Sequence, residues 1–208
     1  PEGRVPDAKT IWLYRERLKE AELMEALFER LLGQIEAAGY AARKGQIVDA
    51  SLVEVPRQRN TPEENRRIKA GERPEWPEHK SRQKDTQARW AFKYARKYYG
   101  YKNHVSVDRA YKVVRRYAVS DAARHESLYF ETVFDERNRR RAVWADAAYD
   151  SKRRRAELAE GGYRVHIVHQ NQQHRPLSEA QRATNRRWSR VRVRIEHVFA
   201  TQAQMGGR

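Results

Sequence analysis

The chain has 208 residues, with 44 Lys and Arg against 28 Asp and Glu, a formal net charge of +16 and no cysteine. That length fits one domain with an appendage or two small domains. The missing cysteine excludes disulfides and thiolate metal sites, and no apolar run approaches the ~18 residues of a membrane-spanning helix. The charge excess calls for a polyanionic partner, nucleic acid before an anionic membrane. The chain opens at Pro1 rather than Met and closes just after Gly206-Gly207, which reads as a piece of a longer protein.

Residues 8 to 39 read as two helices, together a helical segment over 1–40. Asp7 or Thr10 can cap the first, and Leu23, Leu27, Leu31 and Ile35 form an apolar stripe suited to packing or to a dimer contact. Gly39 is a natural stop. Residues 46 to 55 turn β-prone, with Asp49 near the middle of the run and Pro56 at its end. Residues 56 to 98 are crowded with charge and interrupted by Pro62, Pro74 and Pro77, so an extended or partly disordered polar insertion is expected there.

Beyond it, residues 101 to 119 read as a β-hairpin turning at Asp108 to Tyr111. His125 to Glu136 reads as a helix, Ala142 to Ala145 as a buried strand ending at Asp146, and Lys152 to Glu160 as a helix stopped by Gly161-Gly162. Asp150 is expected to cap that helix. A strand over Tyr163 to Val168 and a long helix from Ser178 to about Gln204 complete the order. The pattern implies an α/β fold, a mixed sheet flanked by helices on both faces, over residues 41–208.

Two acids follow apolar strand runs, Asp49 and Asp146, and a third, Glu196, lies on the long basic helix at the border of the stripe Trp188, Val191, Ile195, Val198 and Phe199. Carboxylates on strand ends and a packed helix can hold Mg²⁺, which prefers hard oxygen ligands, and paired Mg²⁺ ions promote phosphodiester cleavage and transfer. Arg192 shares the Glu196 face, and Arg186, Arg190 and Arg194 share another. His166 and His169, three apart on a strand, should face opposite sides and so should not share an ion. The runs Arg139 to Arg141 and Arg153 to Arg155 read as phosphate-binding surface or as solvated faces. The aromatics Trp90, Phe92, Tyr94, Tyr98, Tyr99 and Tyr101 interleave with Lys93, Arg96, Lys97 and Lys102, which suits either base stacking or core packing.

Several motifs in this order resemble one family. Ile47-Val-Asp-Ala-Ser51 resembles the first catalytic Asp motif of the DDE transposases of bacterial insertion sequences, IS-five type. Tyr99-Gly-Tyr-Lys102 with His104 resembles the next block, Ala145-Asp-Ala-Ala-Tyr149 the second Asp motif, and Arg192 with Glu196-His-Val-Phe199 the Arg and Glu signature. Ser189 and Ala203 stand where the wider pattern has Tyr and Lys. The resemblance implies an RNase H-like core, with Asp49, Asp146 and Glu196 as Mg²⁺ ligands and Mn²⁺ as a substitute. It implies nicking at the element's terminal inverted repeats and strand transfer into target DNA. Arg192, Lys102, Arg186, Arg190 and Arg194 would contact DNA. A homodimer when active and a cytoplasmic, nucleoid-associated setting are also implied. The alternatives are a metal-dependent nuclease on the same fold and an inactive DNA-binding relic.

Overall fold

The computed structural model describes residues 5–93, 95–138, 140–171, 174 and 176–205; Tyr94 and Arg139 lie outside them. The chain divides into two compact units, Pro1–Ala41 and Ala42–Arg208. The first holds α1 (Ala8–Glu20) and α2 (Met24–Ala37). Asp7 caps α1 by accepting a bond from the Thr10 N–H at 2.7 Å, and Gly39 follows α2 with φ of 95°. Leu23, Leu27 and Leu31 on the apolar stripe are exposed.

The second unit is built on a six-stranded mixed sheet of β1 (Gln46–Glu54), β2 (Arg89–Lys93), β3 (Arg96–Asp108), β4 (Val114–Asp121), β5 (Ala142–Ala145) and β6 (Arg164–Ile167). β1 is central, antiparallel to β3 on one side and parallel to β5 on the other, and β6 continues beyond β5. The thirteen residues of β3 pair on their far side first with β2, through Arg96 to Gly100, and then with β4, from Tyr101 to Val107. β2 and β4 therefore lie end to end along one edge. This is the mixed α/β sheet flanked by helices that the alternation of strands and helices implies, and it is consistent with the RNase H-like core that the family resemblance implies.

Strand alternation divides the core into two layers. Ile47, Val105, Val107 and Trp144 point to the face covered by α7 (Glu179–Gln204), where Ile195 is fully buried among them. Val48, Val143, Ala145 and Ile167 point to the other face, against Leu158 of α6 (Lys152–Glu160) and Phe130 and Val133 of the short α5 (Phe130–Val133). A capping box fixes the start of α7: the Ser178 hydroxyl accepts from the Gln181 N–H, and the Gln181 side chain accepts from the Ser178 N–H.

Three elements depart from expectation. The expected insertion over 56–98 contains two helices, α3 (Pro62–Lys69) and the short α4 (Glu78–Ser81), and also β2 and the first residues of β3. A Thr61–Glu64 capping box starts α3, Ile68 anchors it, and the Trp76 indole donates to Glu64 at 2.6 Å. Local capping thus supplies what aliphatic burial lacks. The expected helix over His125 to Glu136 shrinks to a 3₁₀ turn, Glu126–Tyr129, followed by α5. It ends because Asp135 turns inward: its backbone N–H and C=O both bond the Gln46 amide, and its carboxylate lies 3.6 Å from the fully buried Arg115. Finally, Ser151 rather than Asp150 caps α6, and Asp150 instead accepts from Arg155 at 2.6 Å.

Candidate active site

Parallel pairing sets the geometry. Val48 of β1 is in register with Ala145 of β5, so the next residues, Asp49 and Asp146, fall side by side on the central strands. Alternation turns Asp49 toward α7, where it is 5 % exposed. Asp146 ends β5 and caps a 3₁₀ turn, Ala147–Tyr149, accepting from the Ala147 N–H at 2.6 Å. Its side chain is 40 % exposed.

One cation serves both acids. Arg192, a turn before Ile195 on α7, donates to Asp49 Oδ2 at 2.8 Å, and its other terminal nitrogen lies 3.5 Å from Asp146 Oδ1. Burial holds the Asp49 carboxyl above the usual range; Arg192 and the Ala50 N–H oppose that shift, while the like charge of Asp146 adds to it. Burial alone would lower Arg192, but Asp49 first, then Asp146 and Glu196, reverse this and raise it. The two shifts disagree on whether burial or pairing wins. A 2.8 Å charge-assisted bond backed by a second carboxylate favours pairing, and Arg192 remains a cation.

Glu196 occupies a different place. It is exposed on α7, one turn past Arg192, and lines an open cleft of about 910 Å³ with Ser51 to Glu54 of β1, Asn103 of β3 and Phe199. Among the described residues no group of three His, Cys, Asp or Glu side chains is close enough to hold a metal ion. The structure thus brings Asp49 and Asp146 together and leaves Glu196 beside them, linked through the field of Arg192. Two adjacent carboxylates already sharing a positive group fit a hard divalent cation, since the guanidinium supplies the charge such an ion would bring.

The basic side chains divide. Arg186, Arg190 and Arg194 are exposed along one face of α7. Lys102 is 12 % exposed and turned inward, donating to the Arg124 carbonyl at 2.6 Å, 3.8 Å from Glu126. The run Arg153 to Arg155 is mostly structural. Arg154 is buried and bonds Glu131, Tyr149 O and Ser127 O, and Arg155 bonds Asp150 and Ile167 O; only Arg153 is well exposed.

The histidines are also structural. His104 is fully buried, stacks on Tyr129 at 4.3 Å and bonds Ser120 at 2.9 Å; burial first, with Lys102, lowers it to about 4. His166 and His169 both lie against Trp188, at 5.4 and 5.3 Å. Alternation does not separate them, because β6 ends at Ile167, before His169.

Sequence reasoning overlooked one group at the site. The Tyr149 hydroxyl, at the end of the Asp146 turn, is buried with no hydrogen-bond partner among the described residues, and burial first, then Asp49, raises its pKa. Its place three residues after Asp146, on a one-turn 3₁₀ segment, was the available signal.

The Transposase DDE domain family matches residues 40–208, more than half of the chain. The transposase for insertion sequence element IS1106 of Neisseria meningitidis serogroup B is 26 % identical over 190 residues, covering 90 % of this chain. The chain spans 64 % of the length of that relative. No solved structure matches. With the family matched from residue 40 through both paired aspartates and the long basic helix, the chain belongs to the DDE transposases.

Proposed function

We propose that this chain is the catalytic core of a transposase that cuts DNA at the ends of its element and joins the freed strand to a target. The observation that supports it best is the meeting of Asp49 and Asp146, 97 positions apart, on one guanidinium at the centre of the sheet. In this reading Asp49 and Asp146 hold a divalent cation, Mg²⁺ or Mn²⁺, and Glu196 supplies the third carboxylate. The bound ion would activate the oxygen nucleophile and stabilise the leaving 3′-oxygen. Arg192 keeps the two like charges together before the ion arrives. Arg186, Arg190 and Arg194 present a row of cations to phosphates. Lys102, held inward against the Arg124 carbonyl, makes no direct phosphate contact in this reading. The active form is a homodimer on the terminal inverted repeats, working at the nucleoid.

Asp49→Asn and Asp146→Asn each test the reading. With plasmid DNA bearing the element's ends and Mg²⁺, nicking and strand transfer should fall at least a thousandfold, while DNA binding by anisotropy changes less than threefold. A double variant that still nicks and joins DNA would remove the assignment.

A further inference from the structure

The β2–β3 hairpin is unlike the rest of the sheet. From Arg89 to Lys97 it has Arg89, Lys93, Arg96 and Lys97 and no acidic residue. Its aromatics are split by burial. Tyr99 is buried and Trp90 packs against it at 5.2 Å, yet Trp90 is 50 % and Phe92 72 % exposed. Trp90, Phe92 and Lys97 line a shallow groove, and Arg57 lies 5.3 Å over the Trp90 ring.

Register places this patch relative to the acids. Val105 pairs with Asp49, Tyr99 with Trp90 and Lys97 with Phe92. Alternation along β3 puts Lys97, Tyr99 and Val105 on one face, and directly paired residues share a face. Trp90 and Phe92 therefore stand on the same face of the sheet as Asp49. Eight residues of antiparallel strand separate Lys97 from Val105, a span of about 27 Å.

We propose that this hairpin is a stacking platform for unpaired nucleobases, gripping a DNA strand about 27 Å from the position of the acids. The inference rests on DNA as the partner and goes beyond it by assigning Trp90 and Phe92 as base-stacking residues. Exposed rings with Lys97 paired to Phe92 and Arg57 over Trp90 match a chain of bases and phosphates. A second copy of this face would set Lys97 and Arg57 against their own copies, so like-charge repulsion opposes self-association there.

The test compares fluorescein-labelled dT20 with a fully paired 20-base-pair duplex, by anisotropy at fixed salt. Trp90→Ala with Phe92→Ala should weaken dT20 binding at least tenfold and duplex binding less than twofold. Trp90→Leu with Phe92→Leu keeps the apolar cover over Tyr99 and should show the same loss, with an unchanged circular-dichroism melt. Equal loss on both DNAs, or loss on neither, would overturn the platform. So would a native dimer that becomes a monomer in the leucine variant, since the face would then cover a second copy. Asp49→Asn separates the two readings: it should retain the native preference between dT20 and duplex while losing cutting.

Discussion

Asp49 is a carboxylate on a central strand with its side chain almost shielded from water, and its ionised form depends on Arg192. Removing one partner of a buried pair typically costs ~3–5 kcal/mol, because the other charge is left uncompensated. Arg192→Ala should therefore lower thermal stability by roughly 3 kcal/mol. Burial already raises Asp49 above its ordinary value, so without Arg192 the folded state binds a proton more readily than the unfolded chain. The loss is then largest above the raised value and shrinks as the pH falls toward the ordinary carboxylate range. Thermal melts of the native chain and Arg192→Ala between pH 5 and 8 should show the two curves converging on the acid side. Added Mg²⁺ should raise the melting temperature of Arg192→Ala more than that of the native chain, since a cation replaces the lost guanidinium. Equal shifts would mean that Asp49 and Asp146 do not take a divalent ion.

At the scale of elements, strand ends and caps explain why the site forms. The two capping boxes start α3 and α7 from sequences that satisfy their own first N–H groups. Gly100 is the most constrained point of the long β3. Its φ is 154°, and an added Cβ would sit 2.1 Å from the Val53 carbonyl oxygen. The lack of a Cβ there is what lets β1 and β3 stay paired up to Gly100. Gly100→Ala should destabilise the sheet by on the order of 3 kcal/mol or more, read as an urea-midpoint shift, and should weaken dT20 binding as the hairpin loses its register. The segment after Pro56 shows the opposite case: composition argued against order there, but a cap, Ile68 and an indole–carboxylate bond suffice for short helices.

At the scale of the molecule, the excess of 16 positive charges sets a long-range field, and the structure distributes it unevenly. Arg154, Arg155 and Lys102 are spent inside the fold, whereas Arg186, Arg190 and Arg194 face water. Replacing these three by Gln should reduce the slope of log K against log salt by roughly 2–3, each lost phosphate contact contributing ~0.9. Duplex binding measured across a salt series gives that slope directly. An unchanged slope would place the DNA path away from this face of α7.

The order of strands and helices outside residues 56–98, and the mixed α/β class, were legible in the sequence, because hydrophobic period and caps act locally; α3, α4 and β2 were not. The neighbouring positions of Asp49 and Asp146 were foreseeable only as a possibility. The register of β1 on β5 is fixed by burying Val48, Val143 and Ala145 together against Phe130 and Leu158, a condition no single segment contains. Tertiary packing alone decided that Arg192 bridges the two aspartates while Glu196 remains exposed. It also decided which arginines are structural and which aromatics of the hairpin face water. Those outcomes depend on which side chains compete for the same buried space and the same counter-charge, and that competition exists only once the sheet has closed beneath α7.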